Sequence, residues 1–526
     1  MLRWEGRNGM RTLAGWLVLL AIGCAQLGAQ AADSVAARIA ELAPRHGEGV
    51  RAFYAERANA AAWVDARAVT PGGRQLATAL DTIDRHGLDP RRYDVRRVRR
   101  LLDRTEPESL AALDVALTVA FLRAGHDLAE GRVRPESIDT MWTGQRGAVD
   151  VEAALRVATA ADGGPAPALA ALAPPHAGYR ALRTVLPRFQ LLAASGGGPA
   201  VGPGPTVALG DSGGRVAALR TRLAIAGDLR VVAGRVCDTA CDAAVRRFQE
   251  RHGLVVDGRV GSRTRAALDA GPEGWARVIA LNLERWRWVP RELGDAPLFV
   301  NSAAFAATRT DASGAQWHSA VIVGRPEWPT PIVSGQLSGI VFAPRWNVPR
   351  AIAALEILPA ARRDTLDLAA AGFCLVDSLD APIAADSLSW EAAADSMSGV
   401  RLVQAPGPGN PLGGVKLVFA NRFNVSLHGS PERGLFARPV RALSHGCVRM
   451  ERAAELATLL VDGRGEWVAD SVARAVADTV ERMVPVVDGP MVVLGYWTAW
   501  VTRDGSVQFR PDVYGWDAKL ARALAR

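Results

Sequence analysis

Ser426-Leu427-His428-Gly429-Ser430-Pro431, followed downstream by Leu443-Ser444-His445-Gly446-Cys447-Val448-Arg449, is the stretch on which the reading of this chain turns. A cysteine attacks a carbonyl only as thiolate, and a free thiol has a pKa near ~8.5, so at neutral pH it needs a base beside it. Two of the chain's 8 histidines fall within this window. The β-rich run ending at Leu427 leads into His428, and the distance to Cys447 lets the chain turn and come back alongside. His445 is two residues from Cys447, so in extended chain both side chains point the same way. Gly446 leaves the backbone open, so the amides of Gly446 and Cys447 can face a developing oxyanion. Arg449 is placed to grip a carboxylate by a bidentate contact. Each piece alone has a plainer reading: a packing cysteine, a core or surface histidine, a solvated arginine. Zinc fits less well, because Cys447, His445 and His428 lack the spacing of known zinc signatures and a fourth ligand. No metal and no cofactor is expected.

Outward from this stretch the texture is β. Leu298–Asn301, Trp317–Val323, Ile332–Val333, Gly339–Phe342, Val415–Phe419 and Val425–Leu427 are short runs rich in strand formers, separated by Gly, Pro and Asn. Met491–Tyr496 and Thr498–Thr502 read as closing strands, with a turn at Asp504-Gly505. Between Pro349 and about Pro408 lies an Ala- and Asp-rich segment that reads as a partly helical insertion, placed like a lid over a site. Cys374 within it, in Gly372-Phe373-Cys374-Leu375-Val376, reads as a small buried hydrophobe.

From about Ser34 to Leu155 the pattern is helical, and the β texture begins after Gly271. Ser34–Leu42, Gly73–Ile83 and Ser109–Leu128 carry apolar residues at three- and four-residue spacing. Gly87-Leu88-Asp89-Pro90 punctuates two of these segments. Ala158–Pro175 and Ala194–Thr206, rich in Ala, Pro and Gly, read as flexible connections, and a domain boundary is expected at the second. Leu209–Leu268 is a compact unit. Val216, Leu219 and Leu223 share a helical face, followed by Phe248-Gln249, Gly253-Leu254, Asp257-Gly258 and Val260-Gly261. Cys237 and Cys241 are close enough to close a local disulfide in an oxidising compartment.

At the N-terminus, Arg3, Arg7 and Arg11 precede the apolar run Leu13–Gly23, and Ala29-Gln30-Ala31 follows, the pattern of a secretory signal. The run is short for a membrane span of about 20 residues. Retention as an anchor and lipidation at Cys24 remain alternatives. The chain of 526 residues is too long for one core. Its 22% charged and 49% hydrophobic residues are those of an ordinary globular protein. The net charge of +8 is spread along the chain, with no basic stripe interleaved with aromatics, so no nucleic-acid partner is expected.

Ser444–Arg449 with the upstream His428-Gly429 resembles the signature of the L,D-transpeptidase catalytic domain, and further landmarks resemble the large periplasmic branch of that family. These are Leu281-Asn-Leu-Glu-Arg-Trp-Arg-Trp288, Val323-Gly-Arg-Pro326, Trp346-Asn-Val-Pro349, Gly409-Asn-Pro-Leu-Gly413 and Tyr496-Trp-Thr-Ala-Trp500. Phe53-Tyr54, Trp63, Gly87–Pro90 with Tyr93, and Gly131-Arg132-Val133 belong with them. Leu209–Leu268 is similar to the three-helix peptidoglycan-binding domain. The resemblance implies a multidomain α+β protein: a signal or anchor over 1–31, a helical scaffold over 34–193 and a linker over 194–206. A peptidoglycan-binding domain over 207–271 and a mainly β catalytic domain over 272–526, with a lid at about 350–408, follow. It implies Cys447 as nucleophile and His428 as base. His445, Gly446, Ser444 and Gly429 become pocket and oxyanion supports, and Arg449, Trp346 and Asn347 substrate contacts. Ser426 and the Gly429-Ser430 pair depart from that branch, which puts the substrate pocket's details in question. The implied reaction joins third residues of stem tetrapeptides, donor and acceptor, through a Cys447 thioester with loss of D-alanine. It would take place in the periplasm beside wall synthases and the inner membrane, with carbapenems acylating the same thiol. A carboxypeptidase or cross-link-cleaving outcome, and a non-catalytic wall-binding scaffold, are the rival readings.

Overall fold

The computed structural model describes residues 30–144, 149–160, 162–311, 313–363, 367–383, 399–461 and 467–526. Arg3 through Ala29, which hold the charged and apolar N-terminal pattern, lie outside the described residues, as do 384–398 of the expected insertion. The chain divides into a helical unit and a strand-rich unit.

The helical unit comprises described residues within 30–132, 149–197 and Pro272–Arg291. Its centre is the helix Pro107–Glu130, entered through a proline that pre-sets the first turn. The helix is long and apolar enough to cross a membrane, yet 72% of its most apolar window is buried inside the protein. Midway along it, buried Asp114 accepts the Tyr54 hydroxyl at 2.6 Å and the amides of Ala62, Trp63 and Val64 at 3.0, 2.6 and 3.0 Å. Burial pushes the Asp114 carboxyl up, and those hydrogen bonds oppose the shift. Segment Leu281–Trp288, which the sequence reading counts with the catalytic domain, closes this helical unit instead. Glu284 accepts the Arg132 amide at 2.6 Å and Arg287 Nη1 at 2.7 Å, and Arg287 Nη2 donates to the His86 carbonyl at 2.6 Å. The expected flexible connection Ala158–Pro175 contains a helix, Pro165–Ala171, because Pro165 starts it and Leu169 buries against the unit's core.

In the strand-rich unit, the helices Gly214–Ala226 and Thr239–Arg251 form a small module with the first part of Ser262–Trp286, which kinks at Gly271. Gln249 explains the Phe248-Gln249 and Asp257-Gly258 spacing. Fully buried, it donates to Asp257 Oδ1 (2.8 Å) and the Arg259 carbonyl (3.0 Å) and accepts the Gly258 amide (2.9 Å), so one side chain ties the turn to its helix. Cys237 and Cys241 are disulfide-bonded, with Cα atoms 5.1 Å apart, at the start of Thr239–Arg251. The module is seated by Arg251 Nη1 on the Val507 carbonyl at 2.8 Å and by His252 stacked between Phe248 and Phe509.

The remaining chain builds a ten-stranded sheet in the order β11-β3-β12-β10-β9-β4-β14-β1-β2, with β13 on β4. Its strands are β1 (Leu298–Asn301), β2 (Ala306–Thr310), β3 (Gln316–Gly324), β4 (Val333–Phe342), β9 (Val415–Phe419), β10 (Leu427–His428), β11 (Ala442–Ser444), β12 (Val448–Met450), β13 (Arg482–Pro485) and β14 (Met491–Gly495). A further pairing of β2 with β3 closes the path on itself, which removes the free edges an open sheet would expose. Val300, Val321, Ile340, Leu417, Leu427, Val448 and Leu494 fill its core.

The insertion is more sheet than the sequence reading expects. Around the helical turns of Arg350–Arg362, β5 (Trp346–Asn347), β8 (Arg401–Gln404), β6 (Phe373–Val376) and β7 (Pro382–Ile383) pair in the order β5-β8-β6-β7. Its own small core, with Val348, Ile357, Leu375 and Leu402, is built on alternation, so Leu375 points in and Cys374 points out. Cys374 is exposed, contrary to its reading as a buried hydrophobe.

Candidate active site

Strand β10 runs parallel to β12 and antiparallel to β9, with Leu427 opposite Val448 and His428 opposite Arg449. One residue back, Ser426 lies opposite Cys447: the Val448 amide donates to the Ser426 carbonyl at 3.1 Å, and Ser426 Oγ lies 3.9 Å from Cys447 Sγ. Side chains alternate along each strand, so Ser426, His428, Cys447 and Arg449 share one face. The fold therefore brings the expected nucleophile and base to neighbouring strands, one step apart on the same side. Ser426, expected to depart from the resembled branch, presents its hydroxyl to the thiol.

His428 is buried, and its Nδ1 lies 2.8 Å from the Gly429 carbonyl. A carbonyl only accepts, so Nδ1 carries the proton, and in the neutral ring Nε2 holds the free lone pair. Burial drives the His428 pKa down to about 4, with Arg449 and Lys416 adding to the shift and the carbonyls of Gly429 and Leu412 opposing it. The ring is thus neutral at physiological pH and able to receive a proton. Cys447 itself is half-buried and not disulfide-bonded.

The loop carrying Cys447 is held by short-range bonds. Ser444 Oγ donates to the Cys447 carbonyl at 2.6 Å and accepts the Gly446 amide at 3.2 Å. Of the two amides expected to face an oxyanion, Gly446 is thereby engaged, while the Cys447 amide donates to no backbone or side-chain group among the described residues. Gly446 has φ +109°, a conformation that a side chain disfavours, which explains its place in the loop. Thr330 Oγ1 donates to the Gly446 carbonyl at 2.8 Å and accepts the Gly324 amide at 2.9 Å, tying the β3–β4 turn to the loop. Gly324 must be glycine, since a Cβ there would meet the Trp328 carbonyl at 2.0 Å.

The other expected site residues fall in two places. Arg449 pairs with Glu432, and its side chain is only 18% exposed. His445 Nε2 lies 2.6 Å from Glu356 and 2.9 Å from Arg325, with Trp328 edge-on at 5.7 Å. Trp346 and Asn347 sit on the insertion's sheet, where Trp346 packs on Phe373 at 6.2 Å and Asn347 accepts from Arg401 at 3.1 Å. No cluster of three or more His, Cys, Asp or Glu suited to a metal occurs among the described residues.

Comparison with known proteins follows the same division. Residues 298–480 match the L,D-transpeptidase catalytic domain, 212–268 a "Putative peptidoglycan binding domain", and 48–186 a scaffold domain. Residues 298–480 are thus similar to an L,D-transpeptidase catalytic domain. A Haemophilus influenzae protein named "Putative L,D-transpeptidase" is 30% identical over 242 residues, 46% of this chain and 48% of that protein. The chain thus spans about half the length of the curated relative it matches. Solved L,D-transpeptidase structures from Xylanimonas cellulosilytica and Stackebrandtia nassauensis are 18% and 12% identical, each covering 56% of this chain. They cover 99% and 96% of their own chains, with TM-scores of 0.17 and 0.20.

Within the strand-rich unit, the sequence reading passes over Glu356 and gives Arg325 no role. Arg325 stands in the Val323-Gly-Arg-Pro326 landmark, so a signal was present. Glu356 lies 89 residues from His445 in an insertion without a motif, and only the fold joins them.

Proposed function

We propose that this protein is an exported cell-wall enzyme that cross-links peptidoglycan through a thioester on Cys447. The observation that carries the reading is the face shared by His428, on β10, and Cys447, immediately before the parallel strand β12, with His428 neutral and its Nδ1 committed to Gly429. In this reading the Cys447 thiol gives its proton to His428 Nε2, and the thiolate attacks the carbonyl of the third stem residue. The Cys447 amide steadies the oxyanion. As the C–N bond to the terminal D-alanine breaks, His428 returns the proton to the leaving amine. The side-chain amine of a diaminopimelate on a second stem then attacks the thioester, forming the new amide and freeing the thiol. Support for peptidoglycan as substrate comes from the matched catalytic and peptidoglycan-binding domains in one chain.

Export is supported by the N-terminal charged-then-apolar pattern and by the Cys237–Cys241 disulfide, which suits an oxidising compartment. The protein would work in the periplasm, alongside wall synthases and with the N-terminal segment as signal or inner-membrane anchor. Carbapenems would acylate Cys447. Incubation of the purified protein with disaccharide-tetrapeptide, read by mass spectrometry, tests the reaction. A cross-linked dimer lacking one D-alanine is expected. Tripeptide alone would mean that water is the acceptor, and unchanged tetrapeptide would refute the reading.

A further inference from the structure

Beside the catalytic loop, two side chains from separate segments converge on one carboxylate oxygen of a third. Glu356 Oε1, from the insertion, lies 2.6 Å from His445 Nε2 and 3.2 Å from Arg325 Nη2. The two nitrogens are themselves 2.9 Å apart. Because the Glu356 oxygen accepts, His445 Nε2 carries a proton and Arg325 presents another, so two donors face each other. Such a pair is held together by the anion between them. Burial raises the Glu356 pKa, but the hydrogen bonds and charges of His445 and Arg325 outweigh it and keep the carboxylate ionised. The donors are well fixed. Arg325 follows Gly324, which is locked against the Trp328 carbonyl and Thr330, and its own amide donates to the Ser444 carbonyl at 2.8 Å. His445 is braced by Trp328. The acceptor is held less tightly, being 44% exposed on a helical turn of the insertion.

We propose that Arg325 and His445 form a seat for a substrate carboxylate next to Cys447, and that Glu356 competes with the substrate for it. The proposal rests on the reading that Cys447 acts on a stem peptide. A stem tetrapeptide offers two carboxylates close to the bond attacked, that of the terminal D-alanine and that of the diaminopimelate side chain. His445 lies two residues from the nucleophile, and the Arg325 amide is bonded to Ser444 of the same loop. An exposed ion pair is worth at most about 1 kcal/mol, so an incoming carboxylate can displace Glu356 at small cost. Arg449, the expected anchor, is less suited, because its guanidinium is largely buried and held by Glu432 without a second donor on that carboxylate.

Two measurements test the seat. The first needs no wall substrate: alkylation of Cys447 by anionic iodoacetate is compared with alkylation by neutral iodoacetamide, in a C374S background that removes the exposed thiol. E356Q should raise the iodoacetate-to-iodoacetamide rate ratio by about fivefold, and R325Q should lower it by a similar factor. E432Q, which frees Arg449 instead, is the control. Equal shifts in E432Q and E356Q, or no shift in E356Q and R325Q, would overturn the seat. The second measurement is steady-state release of D-alanine from tetrapeptide. E356Q should lower KM with kcat kept, and R325Q should raise it. Amidation of the terminal or of the side-chain carboxylate should abolish both changes in one case only, which identifies the carboxylate bound. If both changes survive either amidation, the seat is wrong. If the wild type releases no D-alanine while the alkylation ratios shift, the stem-peptide reading fails and the seat stands.

Discussion

Two clusters of opposite charge, one in each unit, show what burial does to an ion pair. Glu284 and Arg287 in the helical unit are 2% and 1% exposed, and each is bonded to further groups: Glu284 to the Arg132 amide, Arg287 to the His86 carbonyl and the Tyr179 hydroxyl. Glu356, Arg325 and His445 beside Cys447 are 44%, 37% and 22% exposed, and among the described residues Glu356 is held by those two donors alone. Desolvated charges bonded to several groups have no second arrangement, because losing one partner strands the other in a medium that cannot solvate it. Half-solvated charges exchange partners freely. The first cluster is architecture, and the second has the properties of a binding site.

The sharpest way to break this contrast is to remove one acid from each cluster. E284A should destabilise the protein by about 3–5 kcal/mol in urea unfolding, since Arg287 and the Arg132 amide lose their acceptor. A loss below about 1 kcal/mol would show that water reaches the pair. Acid titration of stability comes next. His86, His176 and His428 are held by burial at about 3, 4 and 4, while the unfolded chain takes up those protons near 6.5. Between pH 6.5 and 4 the unfolded state binds more protons, so stability must fall as pH falls, by up to about 1.4 kcal/mol per pH unit for each histidine. H86F should flatten part of that slope, measured by urea melts across the range. An unchanged slope would mean His86 already carries its proton in the fold. The smallest effect belongs to E356Q, expected to change unfolding stability by less than about 1 kcal/mol. A larger loss would place Glu356 with the structural pairs and weaken its role as an exchangeable partner.

The contrast also explains which parts of the molecule could be read from sequence. The loop Ser444–Arg449 and His428 were legible because their chemistry is local: residue type and spacing carry it. Strands such as Leu298–Asn301 and Val415–Phe419 were legible because each is a run of strand formers ended by turn residues. The Glu284 cluster was not, although Leu281–Trp288 stood out as a landmark, because its partners Arg132, His86 and Tyr179 are distant in sequence. The pairing of Glu356 with His445 was hidden for the same reason, compounded by an insertion whose Ala-rich composition suggested helix while its short strands pair with each other. Cys374 was misread because a β-rich pentapeptide does not tell which of its faces is covered. For Arg449, what the sequence did not show was Glu432, which is paired with it.

The central claim is that Cys447 takes the acyl group and His428 takes the proton. Intact-mass analysis of the protein quenched during turnover of a stem tetrapeptide tests it directly. The account predicts a tripeptide adduct on the wild type, mapped to Cys447, absent from C447A and formed about 10²–10⁴-fold more slowly in H428A. D-Alanine release by C447A at the wild-type rate, with no adduct at any cysteine, would contradict it.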